Sequence, residues 1–466
     1  MQQALGRPII RRTRIRLLTV VYLLPVALTS GCGHISAADR LIGTDAPPTT
    51  ATYARLAEAL DAHLRRDVLA KWYPACVDKA GGFHQNFARD WTRGADTNRF
   101  LVYQARQTWV AARAAMYDPA LKDEYAAYAL HGLDYLDKVM SDRECGGLYF
   151  RLGPDGRITK RFGAEKHAYG IAFAIYAGAA VYEATGQTRA LEFAMATFEW
   201  FDDHAHDARH GGYFEALKRD GTPIRKAPRP GARDGISTPY GYKSMNGHIH
   251  LLEALTELYK AGPDPRARRR LEEMLAVVRD RIAVEPGALN YYFTPDWRAV
   301  PMHDSFGHDI ETAFLMVEAA DALGRPDDAP TWRVARSIVD HALAWGWDAK
   351  HGGFYYSGQA FAPAFERFKS WWTQAEGLNV LLLMHERYGA ETDRYWKAFV
   401  KQLQFIWDHQ IDHTRGGWYC RVTEDGGDLV SSADKATPWK AAYHNVRALM
   451  QTVRRLRHLA ASSKES

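Results

Sequence analysis

The chain has 466 residues, 47% of them hydrophobic and 12% aromatic, which excludes a disordered protein and calls for a sizeable core. Its formal charge of +5 is supplied by Arg7, Arg11, Arg12, Arg14 and Arg16, so the chain from Cys32 onward is formally neutral and no nucleic-acid surface is implied. Cys76, Cys145 and Cys420 are spaced too widely for a zinc pattern or a disulfide framework, although one bridge is open to them in an oxidising compartment.

The five arginines precede an apolar run, Leu17 to Leu28, that closes on Thr29-Ser30-Gly31-Cys32. A basic stretch, a short apolar stretch and small residues read as an export signal over 1–32, too short for a stable membrane-spanning helix. Cys32 sits where a bacterial lipoprotein signal carries its lipidated cysteine, so an exported, membrane-tethered protein is expected. Residues 33–52, rich in small residues, Pro and Thr, read as a flexible tether. That leaves 53–460 for one folded domain.

A recurring turn organises that domain. It appears as Gly81-Gly82-Phe83, Gly146-Gly147-Leu148-Tyr149-Phe150, Gly211-Gly212-Tyr213-Phe214, Gly352-Gly353-Phe354-Tyr355-Tyr356 and Gly416-Gly417-Trp418-Tyr419. The second glycines fall 65 residues apart in the first three copies, 64 apart in the last two, and 141 apart between positions 212 and 353. The long gap holds a sixth copy, Leu289-Asn290-Tyr291-Tyr292-Phe293, which lacks the glycines and keeps the aromatics. Between turns the apolar periodicity is helical. It runs over Tyr169–Glu183, with Gly186 just past the end, then Leu191–Phe201, Ile249–Tyr259 and Leu271–Ile282. It continues over Ile310–Leu323, Val334–Trp345, Leu378–Tyr388, Tyr395–Trp407 and Val446–Leu456. Six helix pairs predict an all-α fold that closes into an (α/α)6 barrel, with an open solenoid as the rival.

Polar groups interrupt these helices at helical spacing. In Met245-Asn246-Gly247-His248-Ile249-His250-Leu251-Leu252-Glu253, His250 and Glu253 share a face, so the carboxylate can orient that imidazole, while His248 points elsewhere. Gly307-His308-Asp309-Ile310-Glu311 repeats the spacing, and Glu311 is expected to fix the tautomer of His308. In Lys369-Ser370-Trp371-Trp372-Thr373-Gln374-Ala375-Glu376, Gln374 and Glu376 can bond sugar hydroxyls while one tryptophan stacks on a ring. Trp439-Lys440 with Tyr443-His444-Asn445-Val446-Arg447 opens the last long helix, and Arg106 sits upstream in an apolar one. In a closed barrel these helix starts converge on one mouth, where a small polar substrate binds. No HExxH and no Gly-x-Gly-x-x-Gly is present, so neither a metal nor a nicotinamide cofactor is expected.

These four motif stretches, over roughly residues 55–460, resemble the N-acylglucosamine 2-epimerase superfamily and within it the cellobiose 2-epimerases. The resemblance implies an (α/α)6 barrel and makes His308 and His444 the acid/base pair, with Glu311 supporting His308. It also implies Arg106 beside the sugar oxygens and His248 in ring opening. The expected sugar contacts are Tyr169, Asn246, His250, Trp372, Glu376 and Trp439. The expected partner is a reducing mono- or disaccharide, of the β-1,4-linked cellobiose or mannobiose type, and the expected state a monomer. One imidazole removes the C2 proton of the open-chain aldose and the second returns a proton to the other face. Aldose–ketose isomerisation, or 2-epimerisation of a monosaccharide or N-acylhexosamine, is the near alternative. A glycoside hydrolase using Asp309, Glu311 and Glu376, or a non-catalytic sugar-binding lipoprotein, would leave two histidines without a role.

Overall fold

The computed structural model describes residues 41, 43, 45–430 and 434–462; the export signal, Cys32 and half of the tether lie outside them. Among the described residues there are twelve helices of 12 residues or more. In chain order they are α1 Thr50–His63, α2 Leu101–Tyr117, α3 Lys122–Tyr135, α4 Ala168–Thr185, α5 Thr188–Ala205 and α6 Met245–Ala261. The second half holds α7 Pro265–Val277, α8 Phe306–Ala322, α9 Ala329–Trp345, α10 Trp371–Tyr388, α11 Arg394–Phe405 and α12 Tyr443–Ser462.

The even-numbered helices are buried nearly all round, α12 over its first half only; the odd-numbered ones are amphipathic. In α4, Ala168 through Val181 is buried without a break. In α11, Tyr395, Trp396, Phe399 and Val400 face inward while Arg394 and Lys397 face water. Each inner helix packs on the next, from α2 through α4, α6, α8 and α10 to α12, which returns to α2. The outer helices α3, α5, α7, α9 and α11 pack on the inner helix just before them, and α1 packs on α12. The fold is an (α/α)6 barrel whose first and last helices complete one pair. The tether ends earlier than residue 52: Thr49 caps α1 by accepting the Thr52 N–H at 3.2 Å, and Trp396 Nε1 donates to the Ala46 carbonyl at 2.7 Å.

The repeated turn explains its own sequence. Gly146 and Gly147 have φ of +75° and +65°, and a Cβ on Gly147 would lie 2.6 Å from the Trp200 ring. In four units an aspartate four residues before the first glycine begins the turn, and a lysine ahead of the next inner helix grips it, two residues before the helix in three units and eight before it for Lys435. The pairs are Lys166–Asp142 at 3.0 Å, Lys243–Asp207 at 2.8 Å, Lys369–Asp348 at 2.8 Å and Lys435–Asp412 at 2.7 Å, with Arg99–Asp78 in the first unit. The two residues ahead of an inner helix pair antiparallel with the stretch after the next turn, as in Arg99↔Leu152, Lys166↔Leu217, Lys243↔Phe293 and Lys369↔Val422. The start of each inner helix is thereby fixed to its neighbour. In the glycine-poor copy, Ala283–Val284 pairs with Ala288–Leu289 around Gly287, and the Asn290 N–H bonds the Ile282 carbonyl at 3.0 Å. The turn survives there on one glycine.

Cys76, Cys145 and Cys420 are all unpaired, so the bridge left open by the sequence does not form. Among the described residues no helix is long and apolar enough to cross a membrane.

Candidate active site

All six inner helices begin at the same end of the barrel, and their first turns surround a cavity of about 340 Å³. Arg106 comes from α2, Tyr169 from α4, Asn246 and His250 from α6, His308 and Glu311 from α8, Trp372 from α10 and His444 from α12. Trp439 closes one side, and Tyr291, Tyr356 and Arg421 the other. Six helix N-termini point their positive ends here, which opposes protonated imidazoles and favours an anionic intermediate. A cavity of about 410 Å³ at the far end of the barrel carries charged residues and no histidine.

Beneath the cavity one guanidinium organises three carboxylates. Arg447 pairs with Glu253 and Glu311 and lies 2.8 Å from Glu376. Its side chain and all three acids are buried, so the charges depend on one another. Glu253 also takes the Tyr443 hydroxyl and faces His250 Nδ1 at 2.9 Å. Burial alone would raise Glu253, but Arg447, His250 and Tyr443 outweigh it and hold the acid at about 2. Glu376 receives His444 Nδ1 at 2.5 Å, which leaves His444 Nε2 for the cavity. Burial presses His444 well below the usual histidine range, helped by Arg106 and Arg447; the same burial raises Glu376 against the pull of Arg447. His444 is thus a neutral base with its Nδ1 on Glu376.

His308 is held differently. Its Nδ1 lies 2.7 Å from Ser305 Oγ, and burial, reinforced by His250, His303 and Arg106, pushes it down to about 3. Glu311 does not support it, contrary to the expectation from their spacing. Side chains on a helix lean toward its N-terminus, which carries the His308 ring back to Ser305. Glu311 lies one turn deeper, where Arg447 attracts it, 3.9 Å from His444 Nδ1. Trp372 touches both imidazoles, with ring centroids 4.9 Å from His308 and 5.8 Å from His444.

Three further expectations are corrected. His248 does not reach the cavity: its Nδ1 faces the Ser244 carbonyl at 2.6 Å and its Nε2 accepts the Tyr213 N–H at 3.0 Å. Burial holds it at about 4, and it serves the third Gly-Gly turn; the third imidazole on the cavity is His250, two residues on. Gln374 likewise bonds the backbone of Phe354, at 3.1 and 2.7 Å, and not a ligand. Glu376 stands behind His444, away from the cavity lining. Tyr169, Asn246, Trp372 and Trp439 do line the cavity, and Asn246 Oδ1 is a buried acceptor with no partner among the described residues. Arg106 stacks on Phe173 at 4.3 Å and Tyr443 at 4.8 Å and donates to the Tyr169 hydroxyl at 2.7 Å. No carboxylate pairs with it among the described residues, so its charge is available to an oxygen in the cavity. Glu311, Glu376 and His444 lie close enough together to hold a metal ion, but Arg447 already pairs with both acids. Arg447, Ser305 and Tyr443 went unassigned in the sequence. An arginine three residues after His444 in an apolar helix is the same kind of signal as Arg106.

Residues 81–448 match the sequence profile of the N-acylglucosamine 2-epimerase (GlcNAc 2-epimerase) family. The chain belongs to that family. It is 29% identical over 401 residues to a cellobiose 2-epimerase of Bacteroides fragilis, covering 85% of this chain and 98% of that one. It is 24% identical over 414 residues to a D-mannose isomerase of Marinomonas mediterranea, covering 85% and 97%. The solved cellobiose 2-epimerase of Spirochaeta thermophila superposes with a TM-score of 0.77 at 31% identity, over 88% of this chain and 98% of that chain. Family 76 glycoside hydrolases share the fold alone, at a TM-score of 0.56 and 11% identity. The relatives are carbohydrate epimerases and isomerases, and this member is an enzyme of that class.

Proposed function

We propose that the enzyme inverts C2 of the reducing-end aldose of a β-1,4-linked disaccharide, of the cellobiose or mannobiose type, by proton transfer between His308 and His444. The observation that carries this reading is a pair of depressed imidazoles on one cavity, His444 buried and His308 half-buried, each with Nδ1 engaged and Nε2 left for a substrate. The ring must open first, because the C2 proton is acidic only next to a free aldehyde. His250, with Nδ1 held by Glu253, is the third imidazole available for that step. One of the pair then removes the C2 proton, and the electrons pass onto the C1 oxygen as an enediolate beside Arg106. The other imidazole, neutral in the free enzyme, must take up a proton from solvent when the sugar binds and delivers it to the opposite face of C2. Return of the proton to C1 would give a ketose from the same intermediate, and the mannose-isomerase relative favours testing for it. Hydrolysis needs two carboxylates facing each other across a glycosidic bond. Glu311 and Glu376 instead converge on one guanidinium.

The name of the cellobiose 2-epimerase relatives and the aromatic side made by Trp439 support the disaccharide. Incubation with cellobiose and with mannobiose in D2O, followed by NMR, should yield the C2 epimer carrying deuterium at C2. Release of monosaccharide, or no exchange with either sugar, contradicts the proposal. Export with lipidation at Cys32 belongs to the same reading of the chain, and Cys32→Ala should move the protein from the membrane to the soluble fraction.

A further inference from the structure

Behind His308 lies a group of buried acceptors that this chemistry does not use. Asp304, Asp309 and His341 are 2%, 0% and 5% exposed. His341 Nδ1 is 3.4 Å from Asp309 Oδ2 and its Nε2 is 3.7 Å from Asp304 Oδ2. Nε2 donates to the Ala360 carbonyl, so a neutral ring turns a lone pair toward Asp309. Asp304 Oδ2, both oxygens of Asp309 and His341 Nδ1 have no hydrogen-bond partner among the described residues. Four acceptors facing one another at this depth of burial repel, and each lacks the donor that burial demands. Protons held between them convert repelling acceptors into donor–acceptor pairs, and burial raises Asp304 to about 9 and Asp309 well above the carboxylate range.

The cluster is attached to His308 on both sides. Asp309 follows it directly in α8. Asp304 Oδ1 accepts the Ser305 N–H at 2.9 Å, and the Asp304 backbone exchanges hydrogen bonds of 2.7 and 3.1 Å with Gly358. Ser305 occupies the N-cap position of α8, where a serine hydroxyl ordinarily accepts a backbone N–H of the first turn. Here it caps nothing and faces the imidazole at 2.7 Å.

We propose that Ser305 is the positioning residue of His308, and that the proton-sharing Asp304–Asp309–His341 cluster holds its hydroxyl on Nδ1 so that Nε2 faces the cavity. This rests on His308 being one of the two proton-transfer groups. In the transfer, the C2 proton moves to Nε2, its electron pair stays in the enediolate, and the Nδ1–H remains on Ser305 Oγ throughout. A hydroxyl holds the ring in place without a carboxyl group of the kind that faces His444.

The test combines imidazole 15N NMR of His308 with kinetics of Ser305→Ala, Ser305→Thr and Asp309→Asn. Ser305→Ala should turn a single Nδ1–H tautomer into a mixture and lower kcat by about 10–100-fold with KM within about twofold. Ser305→Thr keeps a hydroxyl and should restore both the tautomer and most of kcat. Asp309→Asn, if it folds, should give a weaker form of the alanine effect. A wild-type tautomer and kcat in Ser305→Ala overturns the proposal, as does a Ser305→Thr enzyme no better than the alanine variant. Stoichiometric metal in the dialysed protein would overturn the proton-sharing cluster. The 15N spectrum needs no sugar, so a wrong substrate assignment leaves that arm of the test standing.

Discussion

His444 stands on a carboxylate and His308 on a hydroxyl, although both rings open onto the same cavity and touch the same tryptophan. The His444 side is charged throughout: Glu376 is tied to Arg447, and Arg447 to Glu311 and Glu253. The His308 side is built from neutral or proton-sharing groups. A carboxylate partner stabilises an imidazolium and a hydroxyl does so far less. The two rings therefore differ in what holds Nδ1, although burial depresses both.

The largest expected effect is loss of either ring. His308→Ala and His444→Ala should each lower kcat by about 10³-fold or more, with the far-UV spectrum and melting temperature close to wild type, since each ring lies at a helix start facing a cavity. Wild-type-like rates in either variant would break the two-base account. Next comes Arg447→Met, which leaves three buried carboxylates without their cation. It should destabilise the fold by about 3–5 kcal/mol in urea unfolding, and a loss below about 1 kcal/mol would show that the floor is not charge-coupled.

A smaller effect separates the buried histidines from the rest of the molecule by pH. His248 sits at about 4 and His308 at about 3 in the folded protein, below the unfolded value near 6.5. Between those values the unfolded chain binds more protons, so stability is full above about pH 6.5 and falls as pH drops toward 4. His248 alone accounts for about 3 kcal/mol over that range. The urea midpoint should fall from pH 7 to pH 5, and His248→Asn should flatten that slope. An unchanged slope would mean that His248 is already charged in the fold.

The barrel was legible because the Gly-Gly-aromatic turn repeats at a near-constant period and each unit must bury the same helix face. The lysine–aspartate pairs that fix the inner helix starts were not legible, because their separations vary, from 21 residues for Asp348–Lys369 to 36 for Asp207–Lys243. At the site, spacing within one helix placed His250 on Glu253 correctly, since nothing outside the helix competes for that ring. The same spacing failed for His308 and Glu311, where Arg447, from a helix 136 residues away in sequence, attracts the carboxylate. His248 and His250 differ only in which side of α6 faces the cavity, a choice made by the Tyr213 backbone of another unit. Ser305 carried no signal at all, because a serine before a helix ordinarily means a cap.

The central claim is that the two imidazoles address opposite faces of C2, and isotope exchange by the single variants tests it most directly. With both epimers supplied separately in D2O, His308→Ala should retain C2 deuteration of one epimer without inversion, and His444→Ala that of the other. Equal loss of exchange from both epimers in both variants, or inversion surviving in either, would contradict the account.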